Sequence, residues 1–569
     1  MSDADGPRQG AARTPGARRL RVAALAALTA AVVALPSIRN GFVEDDHWVV
    51  EQRPILHHPP SLAALVVEPW WPATFQGALW RPSVLLSFAL DYRIGADPRW
   101  FHAVNVLWAA LATGLLTLLA ASLGGTGVGL ATGLLFAVHP VHVEAVANLV
   151  GRAELIAAAA YAAALLCALR AAQDRRWLLG VGLAAAVAIG AKEHAATLPA
   201  AVALVLLVRR QPLRRMLAPA LAAAVPVAAY FAARGAVVHG TLSVGGLAPG
   251  LEGLDLPRRA WAMLALSLQW WRLLVFPVRL SADYSPAQVT VSTGLTPAHL
   301  AAAALWLGAA WAAWRSRRRA LLVTLGIAWL ALTLLPVANL VPTEILVAER
   351  TLYLPSWGFL LAAVGAVAPL AWPRRAVLAV VGTLVVLGAA RSAVRAGVWR
   401  DDDSWFAALQ RDAPHSYRTL WLEGDDAFRS GRWGTGERLL QEASQAAPGI
   451  PGPLEDLAGR YAQAGAWPLA ERALRRSIAT TPGRARPWRL LVDVLQGSGD
   501  TAAASATALQ AVTRFPTDTA TLRAAAIVLV SNGRCVDART LLRESRAPLP
   551  PSAAAALGAR VALCGGPVR

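Results

Sequence analysis

The stretch RLRVAALAALTAAVVALPSIRNGFVEDDHWVV, residues 19–50, is largely apolar from Leu20 to Ile38 and then sets Glu44, Asp45 and Asp46 side by side. A bilayer core needs about 20 apolar residues of helix. Residues 20–38 meet that length, with Arg18, Arg19 and Arg21 at the leading edge. Carboxylates beside lipid are costly, so an acid pair just past a span marks either a site of chemistry or a helix cap. This one stretch predicts helices that cross a bilayer, with polar groups gathered where the chain leaves it.

Ten more stretches repeat the apolar pattern, at 102–121, 126–138, 153–170, 177–191, 196–208, 216–234, 298–314, 319–336, 357–372 and 376–393, and after residue 394 they stop. The chain is 56% hydrophobic, above the roughly 45–50% of soluble domains. The expected fold class is all-α: a polytopic membrane bundle of about eleven spans over 18–394, then a C-terminal region over 395–569. The first run is long enough for a retained helix rather than a cleaved signal. Residues 258–280 hold Arg272 and three tryptophans, which predicts an interfacial or re-entrant segment.

Charge orients the bundle. RRQPLRR (209–215), RSRRR (315–319) and RR (374–375) occupy alternate connections, which the positive-inside rule puts in the cytoplasm. The connections at 40–101, 139–152, 235–297 and 337–356 are then extracytoplasmic, and so is the C-terminal region. Many of the arginines behind the net charge of +19 sit on these flanks, so a nucleic-acid partner is not expected. Residues 1–17 are polar and rich in Gly and Pro, which predicts a disordered cytoplasmic tail. The dominance of Arg over Lys suggests a bacterial source, hence an inner (plasma) membrane.

The C-terminal region repeats. Blocks 417–450, 451–484, 485–518 and 519–552 align without gaps, with Pro448, Pro482, Pro516 and Pro550 at one step and Pro414 one block earlier. Gly436, Ala470, Ala504 and Ala538 recur at the same step. A small residue where two helices cross, and a proline that ends each unit, match a tetratricopeptide-repeat (TPR) α-solenoid. Such arrays present a concave surface to a protein or peptide. Cys535 and Cys564 lie in this region, and spacing leaves their pairing open. Cys167 falls inside a span.

Four polar clusters carry the candidate chemistry. In the first, Asp45 or Asp46 could serve as a general base, or cap a helix starting at His47. It continues through EPWWPATFQGALWRPSVLLSF (68–88), whose aromatic residues suit headgroup depth or a sugar face. The second, LLFAVHPVHVEAVANLVGRAEL (134–155), holds His139, His142, Glu144, Arg152 and Glu154. No HExxH motif or cysteine partner accompanies the histidines, so hydrogen bonding at a helix junction competes with metal binding. The third, GAKEHAATLP (190–199), contains Lys192, the only lysine in the chain, beside Glu193. A compact ammonium suits a phosphate oxygen, whereas a Lys192–Glu193 pair at the interface would be structural. The fourth, PVANLVPTEILVAERTLYLPSWGF (336–359), sets Glu349 and Arg350 before a span, with Tyr353 one turn on. Arg350 could clamp a phosphate or anchor the interface.

FVEDDHW, WRPSVLLSFALDYRIGADPRWFHAVNVLWA (80–109), the second-cluster motif, AKEHA and AERTLYLPSWGF, followed by TPR units, resemble the transmembrane and TPR-containing protein O-mannosyltransferases (TMTC family) and their bacterial relatives. The resemblance covers nearly the whole chain. It implies a GT-C glycosyltransferase that moves a sugar, mannose or another hexose, with inversion from a polyprenyl-phosphate carrier to a hydroxyl. The expected acceptor is Ser or Thr of an exported protein held by the TPR array, with an envelope lipid or glycan as the alternative. It further implies that Asp45 or Asp46 is the base and that Lys192 and Arg350 hold the donor phosphate. His139, His142, Glu144, Arg152, Glu193, Glu349 and Tyr353 then belong to the same site. Related enzymes differ over a divalent metal, so no metal is assigned. The array is shorter than in eukaryotic members. A non-catalytic scaffold is a competing reading; a transporter would need ionisable groups along mid-span, and these lie mostly at span ends.

Overall fold

The computed structural model describes residues 15–72, 79–238, 246–370, 372–545, 547 and 551–564. Most of the expected N-terminal tail, six residues of the aromatic stretch at 73–78 and the last repeat proline, Pro550, lie outside the described residues. Among those described, every regular element is helical. The chain divides into a first unit that ends at Pro414 and a second that comprises Ser285–Ala287 and the chain from His415 onward.

All eleven apolar stretches are helices. They are α1 (Pro15–Ala34), α3 (Pro98–Gly124), α4 (Thr126–Ala137), α5 (Arg152–Ala171), α6 (Trp177–Ala191), α7 (Leu198–Val208), α8 (Leu213–Val237), α10 (Pro297–Ser316), α11 (Leu321–Leu334), α12 (Tyr353–Val367) and α13 (Arg374–Ala396). To these the first unit adds α2 (Pro82–Ile94), α9 (Leu256–Val275) and α14 (Asp402–Asp412). Among the described residues, five helices are individually long and apolar enough to cross a membrane, six if the bent pair at 126–147 is one span. The remaining expected spans are shorter or less apolar helices, so eleven crossings are not established by length and composition. The segment expected to be interfacial is the continuous helix α9, in which Arg272 donates to Gln269 and to the carbonyl of Arg279.

Local signals set the helix starts. Asp97 accepts from the Arg99 amide and Pro98 supplies the first helical φ of α3. Small residues set the packing: a Cβ on Gly133 would fall 2.2 Å from Thr117 Oγ1, and one on Gly129 2.5 Å from Ala121 Cβ. These glycines, four apart, let α4 lie against α3 at backbone distance. Gly326 and Gly358 do the same for α11 and α12, where a Cβ on Gly326 would lie 2.3 Å from the Gly358 carbonyl oxygen. Trp329 and Trp357 fill the core, each donating its indole N–H to a carbonyl, of Leu354 and Leu116 respectively. By contrast, the apolar face of α13 is almost wholly uncovered, with Leu378, Leu384, Val386 and Leu387 exposed. An apolar helix left bare by its own chain suits a lipid surround.

The second unit holds paired helices: α15 (Tyr417–Arg429) with α16 (Trp433–Ala446), α17 (Gly452–Gln463) with α18 (Trp467–Thr480), α19 (Ala485–Gly497) with α20 (Thr501–Arg514), and α21 (Thr519–Ser531) with α22 (Cys535–Glu544). Gly436, Ala470, Ala504 and Ala538 are buried where the two helices of each pair cross. Gly431, Gly465, Gly499 and Gly533 end the first helix of each pair at φ of 72–84°, a left-handed conformation that costs other residues a Cβ clash. The closing helix α23 (Pro551–Leu563) is tied to α22 by a disulfide between Cys535 and Cys564. Residues 395–414, expected to belong with the repeats, group with the first unit.

Candidate active site

The apolar run of α1 ends in a 3-10 turn, Leu35–Arg39, and the chain doubles back through Glu44 at φ 53°. Beyond it the two aspartates part company. Asp46 is fully buried, and its carboxylate accepts the amide N–H groups of Val43 (3.3 Å), Leu149 (3.3 Å) and Val150 (3.0 Å). It fastens the first polar cluster to the second. Burial pushes its carboxyl up to about 8, against the three amides that pull it down, with Asp45 adding a smaller upward push. Asp45 is half-buried, and its charge acts on Arg350.

Arg350 and Lys192 lie in one run of alternating charge. Glu144 accepts from Arg350 Nη1 (2.7 Å) and from its backbone N–H (2.8 Å). Burial works against the guanidinium, but Glu144, Asp45, Glu44 and Glu154 outweigh it and raise its pKa. Lys192 stands at the C-terminus of α6, where a cation meets the negative end of the helix dipole. Its Nζ lies 3.0 Å from Glu154, whose other oxygen is 3.3 Å from His194 Nδ1. Burial lowers the lysine pKa, Arg81 adds to this, and Glu154 and Glu193 oppose it. Glu193 pairs not with Lys192 but with Arg81, through Nε (3.3 Å) and Nη2 (3.1 Å). Arg81 also lies over the Trp70 ring at 4.9 Å. One Nζ contact uses one of three ammonium donors, and the Nη1 contact one of five guanidinium N–H groups, so each cation keeps capacity for an incoming anion.

A clasp holds the first loop from outside. Asp402 at the start of α14 accepts the Glu44 N–H (3.0 Å) and meets His47 Nε2 (2.8 Å), while His47 Nδ1 meets Glu51 (2.6 Å). Burial lowers the His47 pKa, but the bonds to Glu51 and Asp402 outweigh it and leave the value raised.

The other expected site residues border this run of charge and have partners of their own. Arg152 is fully buried and bonded to Asn105 (2.6 Å), Ser87 (2.9 Å), the Phe101 carbonyl (2.8 Å) and Asp91. Its guanidinium packs 4.4 Å from the Phe88 ring, and the charge of Asp46 also acts on it, so Arg152 ties α2 and α3 to the start of α5. His139 meets the Leu274 carbonyl (3.1 Å) and caps the Val141 amide, while His142 meets Ser356 (2.8 Å). Both act at a helix junction. With Tyr353 they line a cavity of about 40 Å³ between α1, α3 and α13. That is room for water, which needs roughly 10–15 Å³, and not for a sugar ring. Glu349 is buried, accepts from Ser281 N (2.6 Å) and Tyr284 OH (2.7 Å), and lies 3.5 Å from Arg395. Burial lifts its carboxyl to about 7, with Arg395 opposing. Among the described residues no three His, Cys, Asp or Glu side chains are grouped to hold a metal ion.

Four residues of this arrangement were not singled out in the sequence, Arg81, Trp70, His194 and Asp402, and Glu154 was named in the second cluster without a role. Arg81 stands inside the quoted WRPS motif, which carried a signal. Asp402 follows the last apolar run and carried none.

Residues 89–233 match the family described as dolichyl-phosphate-mannose-protein mannosyltransferase. The chain is 39% identical over 175 residues to protein O-mannosyl-transferase Tmtc1 of Drosophila melanogaster, covering 29% of this chain and 20% of that protein. It is 28% identical over 448 residues to protein O-mannosyl-transferase TMTC4 of Mus musculus, covering 66% of this chain and 60% of the relative. The matched length is thus a fifth of the first relative and about three fifths of the second. A solved structure, the APC/C hetero-tetramer Cut9-Hcn1, overlays 84% of this chain and 92% of its own at 13% identity and a TM-score of 0.24.

Proposed function

With the first unit related to the TMTC group of protein O-mannosyl-transferases, we propose that this chain transfers a hexose, mannose or another, from a polyprenyl-phosphate carrier to a hydroxyl group with inversion. The acceptor is Ser or Thr of an exported protein, recruited by the TPR array. Asp45 is the base. It takes the hydroxyl proton as that oxygen attacks the anomeric carbon, and the bond from that carbon to the phosphate oxygen breaks with its electron pair leaving on the phosphate. Lys192 and Arg350 meet the charge that develops there. A single displacement inverts the anomeric centre.

The observation that carries this reading is the division of labour between the paired aspartates. Asp46 is consumed by three backbone amides, whereas Asp45 is half-buried beside a cation that retains unused donors. In this reading the chain sits in a bacterial inner membrane with the site and the array on the extracytoplasmic side.

The test is glycoproteomics of envelope proteins with and without the gene, alongside Asp45→Asn. Loss of a hexose from Ser or Thr in both the deletion and the D45N strain supports the proposal. Unchanged proteins with an altered surface glycan move the acceptor to lipid or wall. A deletion phenotype that D45N rescues fully points instead to a scaffold acting through its repeats.

A further inference from the structure

At the end of the bundle opposite the carboxylates, the C-termini of α3, α7 and α12 and the N-terminus of α11 border a second, broadly open cavity of about 640 Å³. α3 alone, with 27 residues, separates the two ends by roughly 1.5 Å per residue. Arg209, Arg210, Arg318 and Arg319 line this cavity, and no carboxylate does. Among the described residues none of the four guanidiniums has an ion pair or a side-chain hydrogen bond. Four like charges sharing one concavity repel each other unless an anion joins them. Close packing forms the floor: Gly124 and Gly365 both lie against the Leu322 side chain, where a Cβ on either would fall 2.7 Å from it. α11 begins at this floor with Ala320 at its N-cap, so no side chain occupies its first N–H groups, and a helix N-terminus favours an anion.

Arginines on cytoplasmic connections need no ligand of their own. Arg374 and Arg375 are such residues and lie outside the cavity. What sets the four apart is that they line one shared concavity with mixed walls. Leu123, Val128 and Leu322 line it beside the arginines. Leu207, Val367 and Leu370, each one residue from a lining residue in sequence, are exposed apolar side chains. Guanidiniums lining one concavity beside apolar side chains fit a ligand with a phosphate at one end and acyl chains at the other.

We propose that this cavity binds the phosphate headgroup of an anionic phospholipid, with its acyl chains against the apolar side chains beside the arginines. The chemistry shared with a free phosphate is the charge; the apolar lining favours the lipid.

The test uses the full chain purified in neutral detergent, with short-chain phosphatidylglycerol, phosphatidylcholine and inorganic phosphate as probes and thermal unfolding as the readout. Phosphatidylglycerol is expected to raise the melting temperature, phosphatidylcholine and millimolar phosphate are not, and the effect fades as salt rises. Arg318→Gln with Arg319→Gln should weaken the apparent affinity for phosphatidylglycerol tenfold or more, given roughly fivefold per arginine at a headgroup. Arg374→Gln with Arg375→Gln should leave it unchanged. Equal stabilisation by phosphatidylcholine, or equal losses from the two double variants, overturns the proposal. Saturation by inorganic phosphate that blocks phosphatidylglycerol assigns the cavity to a soluble anion and overturns the lipid. If R318Q/R319Q does not fold, the wild-type salt titration decides: an affinity that ignores salt overturns the site.

Discussion

Lys192 Nζ lies 3.0 Å from Glu154 Oε1, and it is the lysine that reaches the surface while the carboxylate is sealed, at 13% and 1% side-chain exposure. Removing one partner of a buried pair leaves the other charge without compensation, at a cost of about 3–5 kcal/mol. Lys192→Met should therefore lower the melting temperature, and adding Glu154→Gln should recover most of the loss. Thermal unfolding of the two variants in detergent checks it; equal melting temperatures for wild type and K192M would remove the pair from the fold's support. Lys192→Arg is not a mild change either, because a planar fork replaces a point charge.

The aspartates should separate by phenotype. Asp46→Asn replaces one acceptor oxygen with an N–H donor facing amide donors, which costs about 1–3 kcal/mol. Asp45→Asn breaks no described hydrogen bond. D46N should thus lose stability, whereas D45N should keep its melting temperature and lose transfer. Measuring unfolding and product formation on both variants distinguishes them, and a stable, fully active D45N would end the assignment of the base.

The His47 clasp gives a pH dependence with a fixed sign. Its pKa is raised in the folded chain, so protonated imidazole donates to both Glu51 and Asp402. The added stability is fully present below the unfolded value of about 6.5 and is lost as pH rises through the folded value. Hydrogen exchange over residues 40–52 should speed up as the solution is made alkaline, and His47→Gln should flatten that response. Exchange that instead slows with rising pH, after correction for intrinsic rates, contradicts the clasp.

Glycines of the repeat unit forecast opposite signs. Gly465 lies at φ 73°, where a Cβ costs about 1–2 kcal/mol. Gly459 is in α17 with nothing within 4 Å of an added Cβ, and alanine there should gain roughly 0.5–1 kcal/mol. G465A should unfold at lower denaturant and G459A at higher; shifts of the same direction would break the argument.

Much of the fold was legible because it is written locally. An apolar run carries its own helix signal, and the small residue and proline at one step define the repeat. The glycines at 431, 465, 499 and 533 share that step and were equally readable. The partners within the site were not legible. Lys192 and Glu193 are neighbours in sequence, but Lys192 is extended, at φ −153° and ψ 136°. Successive side chains of extended backbone point to opposite sides, so the lysine meets Glu154 and the glutamate meets Arg81. Arg152 finds Asp91 across 61 residues, a pairing that only tertiary packing sets. The same holds for Asp46, whose amide donors at 149 and 150 come from a turn more than a hundred positions away.

The glycine contacts between α3 and α4, and between α11 and α12, have a bearing on traffic through the membrane. At both seams the backbones already touch, leaving no slot into which an isoprenoid chain could slide. On the proposed function, a carrier approaching the carboxylates from the lipid phase would have to thread some other gap between helices. Substituting these glycines with bulkier residues would pry the bundle apart rather than narrow its doorway.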